Sequence, residues 1–524
     1  MAATASQTPR DMPLIQRLGR LNGMLGFLMF YMAMCAFNFG YDVGIFSGVQ
    51  AMNSFGRKFG EYNEAKGRWQ LPGWLSSVMT ATPFIGKALG CISCGWIAER
   101  WGRRAAILGL CIVSFIGVTL QVAAVDRAMF TVGRIITFGM TGMAIVVVPI
   151  YQAETSPEML RGTFASTIQL MIILGQVVAT CVTYGTKNID SDPGWRIPTG
   201  LQLIIPAIIL ALLPLVPESP RWLLRRGRRE EATKNLRKLR PGDGDDEIQL
   251  EIEALIYINN NEEKGTWSEV FNRTNRSRTA VAVLAMFGQQ ITGQAFPSQY
   301  GVVFYQSQGF GDKSFLFNII QNILSLVAIF FTWSFIDGIG RRPILMVGGT
   351  LMALWLFILG GMGSSSNINS AGKGLVVASV MLFQFFFNLS WAPSSYVVLS
   401  EAAASRLKEK TNLLASVISV LTTFVTSFTI PYLINERYAN LGAKVGFIYG
   451  AINVIMVVLT FFFIPELKGR TLEEVDQLFA SGVPLRKFGS VETKSAQTLY
   501  QDELKQKSSY VESEKKAAEL VEKV

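Results

Sequence analysis

A short signature of one acidic residue, one glycine and two arginines occurs twice in this chain, each time after a long apolar stretch. It reads IAERWGRR at 97–104 and FIDGIGRR at 335–342. Two other motifs also occur twice. Glu154…Arg161 recurs as Glu401…Lys408 at an offset of 247 residues, and PESPR at 217–221 recurs as PELKGR at 465–470 at an offset of 248 residues. Three similar offsets indicate that one ancestral half was duplicated.

Apolar runs of roughly 20 residues, long enough to cross a bilayer as helices, alternate with short polar loops. Charged residues make up only 16% of the 524 residues, well below the share in a typical soluble domain. We therefore predict an all-α membrane protein with twelve transmembrane helices in two six-helix bundles, and such parallel repeats are typical of transporters. The twelve predicted spans lie approximately at 24–48, 73–97, 105–124, 128–150, 163–185, 196–216, 279–305, 315–336, 344–362, 374–399, 412–434 and 445–464.

Basic residues crowd the loops on one side of these spans and are sparser on the other side. The positive-inside rule therefore predicts that both termini and the long central loop are cytoplasmic. These loops account for the formal net charge of +10, and no basic domain remains that would bind nucleic acid. We expect five parts, which are a cytoplasmic leader at 1–23, a first bundle at 24–218, a linker with amphipathic helices at 219–278, a second bundle at 279–466 and a largely disordered tail at 467–524.

The chain contains no histidine, which excludes Ser-His-Asp catalysis, histidine metal ligands and histidine proton relays. Its five cysteines all lie in predicted spans, and Cys91 and Cys94 form a C-x-x-C pair without a second pair that would complete a zinc site. We therefore predict no enzymatic activity, no metal and no cofactor.

Three ionisable residues fall inside predicted spans, where a charge is costly and by default indicates function. Asp42 in span 1 and Arg134 in span 4 are placed to pair across the first bundle, and we predict that they couple transport to a proton. A change that separates the two groups would let Asp42 take up a proton on one side and release it on the other. A permanent structural ion pair is the alternative. Lys87 in span 2 either faces a cavity or extends to the membrane surface.

Polar side chains concentrate in the second half. Span 7 carries four glutamines on a helix interrupted by glycines and a proline, which is typical of a transporter binding site. Neutral amides beside aromatic rings suit a neutral polyhydroxylated ligand, because hydroxyl groups exchange hydrogen bonds with amides while C–H faces stack on rings. Helix–helix hydrogen bonding is the alternative role of each glutamine. The predicted binding residues of this half are Gln289, Gln290, Gln294, Gln299, Asn322, Trp391 and Tyr396.

Charged residues at the cytoplasmic ends of the spans form a second candidate set. They are placed to form ion pairs and to cap helix ends, so that the network closes the cytoplasmic side in one conformation and breaks in another. Anchoring of the membrane topology by arginine is the simpler alternative, and the two roles are compatible. The predicted gate residues are Glu99, Arg103, Glu154, Arg161, Asp337, Arg341 and Glu401.

Together these residues resemble the sugar porters of the major facilitator superfamily, in their fungal branch. The resemblance implies the major facilitator fold, with a sugar site between two bundles that rock about it. It also implies that Phe39 and Gln169 contact the sugar, that Gln289 and Gln290 are the paired glutamines of span 7, and that Asp42 with Arg134 is the proton-coupling pair. The supporting motifs include FGYDVGIFSG (39–48), GWIAERWGRR (95–104), PIYQAETSPEMLRG (149–162), PESPRWLL (217–224), GQQITG (288–293), DGIGRRP (337–343) and PELKGRTLEEVDQLF (465–479).

The second half departs from the pattern of hexose-transporting members. The asparagine that follows the glutamine pair in many members is Ala295 here, and the usual tyrosine pair is Gln299-Tyr300. Tyr396 stands where span 10 usually has a tryptophan, and Thr423 stands where span 11 usually has an asparagine. The site is therefore sugar-like in character but altered in detail, which leaves pentoses, polyols, disaccharides and sugar acids open.

The sequence as a whole predicts a monomeric plasma-membrane transporter that imports a neutral sugar, a hexose or a pentose, by alternating access with a proton. A passive sugar uniporter is one alternative, because family members with an aspartate at this position include passive carriers. A transporter-like sugar sensor is another alternative. Its marker is a very long cytoplasmic tail, and the tail predicted at 467–524 is modest.

Overall fold

The computed structural model describes residues 22–491 apart from 65–66, 157–160, 243, 262–264, 274, 366–368, 436, 469 and 471. The predicted leader up to residue 21 and the tail beyond residue 491 therefore lie outside the described residues. Each of the twelve predicted spans is helical. They are span 1, Gly23–Val49; span 2, Gly73–Ala81 and Pro83–Arg100; span 3, Arg103–Val122; span 4, Arg127–Thr155; span 5, Arg161–Thr186; span 6, Pro193–Leu201 and Ile204–Leu212; span 7, Arg276–Ile291 and Ala295–Ser307; span 8, Lys313–Ile339; span 9, Arg341–Ser364; span 10, Ser370–Leu389 and Trp391–Ala402; span 11, Lys408–Ile434; and span 12, Val445–Phe463.

Among the described residues, eleven of the twelve spans are long and apolar enough to cross a membrane as helices, and span 7 is not. Its two helices are separated at Gly293, whose positive φ of 95° is readily adopted only by glycine. The interruption frees the carbonyl of Thr292, which accepts a hydrogen bond from the Asn453 side chain at 2.9 Å. A broken helix inside a membrane protein is stable when a neighbouring helix satisfies the freed backbone groups in this way.

Each half of the chain has a hydrophobic core of its own. The core of the first half includes an edge-on aromatic cluster in which the Phe55 ring lies 5.0 Å from Phe130 and 5.8 Å from Trp195. The core of the second half surrounds Trp391 and extends to the helix Leu472–Ala480 after span 12. Of the described residues of the second half, only Val302 and Phe315 belong to the buried core of the first half, so few apolar side chains have to exchange partners when the two halves move as units.

Short elements mark the two ends of the bundles. On one end lie the linker helices Pro220–Arg225, Arg229–Leu239, Asp245–Asn261 and Trp267–Val270, and we call this end the linker side. Trp222, Leu236 and Ile252 give the linker helices a small core of their own. On the opposite end, the hairpin side, a helix at Asn53–Phe59 precedes an antiparallel pair of strands, β1 (Glu61–Asn63) and β2 (Arg68–Gln70). The remaining short 3-10 turns are Leu213–Leu215, Ser405–Leu407, Gly442–Lys444 and Leu485–Ser490.

Candidate functional site between the bundles

The two bundles are joined by hydrogen bonds toward the hairpin side. The Gln50 side chain donates to the Gln299 carbonyl at 2.7 Å, and Asn318 donates to the Ser47 hydroxyl at 3.3 Å. Nearer the linker side, Tyr396 of span 10 lies beside span 2 of the other bundle and is nevertheless 46% exposed. The space between the bundles is therefore closed toward the hairpin side and open toward the linker side.

Asp42 is buried on span 1, and both of its carboxylate oxygens lack a hydrogen-bond partner. Arg134 acts on it electrostatically, and the side-chain amide of Gln202 adjoins it. The Arg134 guanidinium itself donates to the Met79 carbonyl at 3.0 Å and lies 3.8 Å from the centre of the Phe46 ring. The structure thus brings Asp42 and Arg134 into one buried neighbourhood without a direct ion pair.

The four glutamines of span 7 that were predicted to bind the ligand occupy different environments. Gln289 is buried and donates to the Ala392 carbonyl at 2.8 Å, while its own oxygen accepts from Gln290 at 2.9 Å. Gln290, Gln294 and Gln299 are all partly exposed. The buried Gln299 side-chain oxygen has no hydrogen-bond partner, and this residue lines a small cavity together with Arg134. Gln289 therefore holds Gln290 in place, and amides remain available along the interrupted helix.

Span 10 contributes one of its two predicted aromatic residues to this space. Tyr396 is exposed to it, as described above. Trp391 has no exposed surface, and its indole nitrogen donates to the Leu345 carbonyl at 3.1 Å inside the second bundle. The prediction that Trp391 lines the site is wrong for this conformation, because that side of span 10 packs against spans 7 and 9. Asn322 is also largely buried, and its amide donates to the Asn318 carbonyl one turn earlier.

The first bundle contributes Phe39, Gln169 and Lys87. Phe39 and Gln169 are both partly exposed, on spans 1 and 5. The Lys87 ammonium lies 5.3 Å from the centre of the Phe39 ring, so Lys87 and the aromatic residue expected at the sugar site share one surface. The sequence left two positions for Lys87, and the structure selects the one facing the interior.

Two ion pairs on the linker side are related by the sequence repeat. Arg103 binds both carboxylate oxygens of Glu154 through Nε and Nη2, at 2.8 and 2.6 Å. Arg341 binds both oxygens of Glu401 in the same manner, at 3.2 and 2.9 Å. Each pair joins two spans of one bundle. In this conformation these two ion pairs therefore fasten helices within a bundle.

The sequence interpretation gave no role to two glutamates that complete these sites, although they belong to the third repeated motif. The Glu218 carboxylate accepts from the backbone N–H groups of Arg103 and Arg104 at 2.9 and 3.1 Å. Glu466 accepts in the same way from the N–H groups of Arg341 and Arg342, both at 3.1 Å. Each glutamate thus caps the first turn of the span that follows the signature glycine, where a negative charge also complements the helix dipole.

The signature glycines are required by the same geometry. Gly102 and Gly340 have φ values of 98° and 105°, which L side chains rarely adopt. A Cβ atom would also lie 2.5 Å from an oxygen of Glu218 at the first position and 2.7 Å from Glu466 at the second. The acid–Gly–Arg–Arg repeat is therefore a helix-capping device that needs the distant glutamate.

Three predicted gate residues remain. The Glu99 carboxylate is exposed and forms no ion pair within the described part of the chain, but the Glu99 backbone carbonyl accepts from Trp222 and Arg226, each at 2.9 Å. Its backbone thus docks the linker onto span 2, and the predicted ion pair of the Glu99 side chain stays a prediction. The side chains of Arg161 and Asp337 lie outside the described residues.

Comparison with known proteins decides the family. Residues 28–479 match the family model described as "Sugar (and other) transporter". The chain belongs to the sugar transporter family. It is 30% identical to the high-affinity glucose transporter ght2 of Schizosaccharomyces pombe, over 87% of each chain. It is 31% identical to the low-affinity glucose transporter of Kluyveromyces lactis, over 85% of this chain and 81% of that protein.

A solved structure gives the same fold. The inward-open structure of the xylose transporter XylE from E. coli matches this sugar transporter with a TM-score of 0.72 at 24% identity, over 86% of this chain and 99% of that chain. The predicted fold, an all-α membrane protein with the twelve helices of the major facilitator superfamily, is confirmed, and so is the prediction that the protein is a transporter and not an enzyme.

Proposed function

We propose that this sugar transporter imports a monosaccharide across the plasma membrane by alternating access, together with a proton. The observation that carries the proposal is the buried carboxylate of Asp42, which lies near Arg134 and the Gln202 side chain without forming an ion pair with Arg134. The relatives support the substrate class, because their names are those of glucose, hexose and fructose transporters, and a XylE structure is titled a proton:xylose symporter.

Proton coupling follows from the cost of an isolated buried charge. A carboxylate without hydrogen bonds is stable in the membrane interior when it carries a proton, and an approaching guanidinium stabilises the ionised form instead. In this conformation Arg134 is held by the Met79 carbonyl and the Phe46 ring. A shift of span 1 against span 4 within the first bundle that moves Arg134 toward Asp42 releases the proton, and the reverse shift allows its uptake, so we propose that this shift accompanies the rocking of the bundles.

The sugar occupies the space between the bundles. The partly exposed amides of Gln290, Gln294 and Gln299 exchange hydrogen bonds with hydroxyl groups, and the Phe39 and Tyr396 rings cover the C–H faces. The hydrogen bonds on the hairpin side, such as Gln50 with Gln299, close the outer entrance while sugar leaves toward the linker side. In this proposal the linker side is the cytoplasmic side, and one chain forms a complete transporter.

The size of the driving force makes the proposal testable. One charge that crosses 100 mV gains about 2.3 kcal/mol, which corresponds to roughly fifty-fold accumulation of an uncharged sugar. Cells that lack their own sugar carriers and express this protein should accumulate labelled sugar, and a protonophore should reduce the internal concentration to the external one. Accumulation that is unchanged by the protonophore would contradict proton coupling, and equilibration without accumulation would favour a uniporter.

The Asp42→Asn variant assigns the coupling to one side chain. It should lose concentrative uptake but retain exchange of labelled for unlabelled sugar, since the substituted amide cannot release a proton. Asp192→Asn, a change at an exposed carboxylate on the hairpin side, is the matched control and should accumulate sugar normally. Full accumulation by Asp42→Asn would exclude Asp42 as the coupling residue.

A further inference from the structure

The two faces of span 2 differ in what they contact. Ile85, Leu89 and Ile92 form one stripe at helical spacing, and their side chains are 50%, 61% and 63% exposed on the outside of the bundle. Lys87 lies about 200° around the helix from Ile85 and from Leu89, at 100° per residue. Lys87 therefore faces away from the lipid.

The stripe that contains Lys87 adjoins the second bundle at several positions, although Cys91 also donates to the Gly142 carbonyl of span 4 in its own bundle. Thr80 lies beside the Tyr300 hydroxyl of span 7. Phe84 lines the small cavity with Gln299, and Cys91 interacts with Tyr396 of span 10. Lys87 lies between these contacts, one turn from Phe84 and one turn from Cys91, and so it belongs to the space in which the sugar is proposed to bind.

The ammonium of Lys87 has no anionic partner among the described residues. The ammonium lies over the faces of two rings, 5.3 Å from the centre of Phe39 and 5.9 Å from the centre of Phe84. It also interacts electrostatically with the Cys91 thiol. Arg134, the other buried cation of this region, is held by a backbone carbonyl and interacts with Asp42. The side chain of Lys87 is partly exposed, so water from the open side reaches it.

An unpaired cation in the interior of a membrane protein is costly, and such cations usually have a partner. A neutral sugar on the Phe39 ring would leave Lys87 unpaired, whereas a carboxylate at the edge of a sugar ring would give it a charge-assisted hydrogen bond. We propose that Lys87 binds a carboxylate group of the substrate, so that this transporter prefers a monosaccharide acid such as a hexuronate to the corresponding neutral hexose. This inference rests on the proposed function and specifies its substrate class.

The expectation of a neutral ligand came from the amides and aromatic rings of the second half, where spans 7, 8, 10 and 11 have no fixed charge near the middle. Lys87 comes from the first bundle, and the fold adds it to the same surface. The charge balance of transport changes accordingly. One proton that moves with a neutral sugar carries one positive charge inward, whereas one proton that moves with a sugar anion carries no net charge.

The test uses purified full-length protein in proteoliposomes, with D-glucuronate and D-galacturonate as probes and D-glucose and D-galactose as their neutral counterparts. The acids should be taken up in preference to the neutral sugars, without a transport current. Lys87→Met should reduce the preference for the acid at least about tenfold, equal to about 1.4 kcal/mol, whereas Lys87→Arg should retain most of it. Lys58→Met, at an exposed lysine of the hairpin-side helix, is the matched control and should leave the preference unchanged.

Each result decides the inference. Transport of the neutral sugars but of neither acid would overturn it and leave the proposed function intact. Uptake of the acids with the same preference in wild type and Lys87→Met would overturn the role of Lys87. Transport of none of the four sugars would count against both proposals. If Lys87→Met does not fold, as judged by size-exclusion chromatography, two other results test the inference. Wild-type uptake of the acids without a current, together with a retained preference for the acids in Lys87→Arg, supports it, and the opposite results overturn it.

Discussion

Removal of the Glu218 carboxylate should loosen the first bundle at its linker side. Glu218 accepts hydrogen bonds from the first two backbone N–H groups of span 3, at 2.9 and 3.1 Å, and a third from Ser219 at 2.9 Å. The same carboxylate adjoins Gly102. Glu218→Ala leaves the two helix amides to water, and Glu218→Gln retains one acceptor oxygen without the charge.

The magnitude follows from the number of interactions lost. Loss of a capping acceptor costs about 0.5–2 kcal/mol, and loss of a negative charge at a helix N-terminus costs a further 0.3–1 kcal/mol or so. Glu218 is partly exposed, so water compensates for part of the loss. We therefore expect Glu218→Ala to lower the free energy of unfolding by about 1–2 kcal/mol and Glu218→Gln to lower it by about half as much.

The cysteines provide an assay that reports on the first bundle alone. All five lie in the first six spans, and Cys35, Cys94 and Cys111 are buried free thiols. A thiol-reactive fluorophore therefore detects the opening of this bundle on heating in detergent. Glu218→Ala should move that transition several degrees lower, whereas Glu466→Ala, the equivalent change in the second bundle, should move it less.

The control is Glu230→Gln, a change at an exposed glutamate of the linker. It should leave the temperature of the transition almost unchanged, because surface substitutions alter stability little. If Glu218→Ala and Glu218→Gln both react with the fluorophore at the wild-type temperature, the capping carboxylate contributes nothing to stability. The structural explanation of the repeated signature would then be refuted.

Three further changes test other parts of the structure. Gly90→Val should abolish the monodisperse peak in size-exclusion chromatography, because a Cβ atom there would lie 2.0 Å from a backbone oxygen of span 4, whereas Gly95→Val has open space and should preserve the peak. Trp391→Phe should lower the unfolding temperature but leave the KM for sugar uptake unchanged, whereas Tyr396→Ala should raise that KM about tenfold or more. Equal effects of the two changes on KM would contradict the assignment of Trp391 to the core. Gln50→Leu removes a hydrogen bond between the bundles, worth about 1 kcal/mol, and should increase labelling of a cysteine introduced in the cavity by an impermeant reagent from the hairpin side about fivefold. No increase would mean that this bond does not help to close that side.

The sequence by itself determined the elements of this protein. Apolar length and hydropathy define most spans, because a bilayer imposes the same length on every helix that crosses it. The internal repeat defines two equivalent bundles, and the intramembrane charges of Asp42 and Arg134 stand out because charges are rare in such helices. These are local or periodic properties, and they can be read without knowing which helices are neighbours.

The tertiary structure decided which side chains meet. Tyr396 and Trp391 lie on the same helix, and both have apolar and small residues as sequence neighbours. Tyr396 nevertheless faces the space between the bundles, whereas Trp391 lies in the core. Glu218 is more than 100 residues from the amides that it caps, and Lys87 shares a surface with Phe39 of another span. Contacts between distant segments depend on how helices pack and rotate about their axes, and the order of residues along one chain does not specify that rotation.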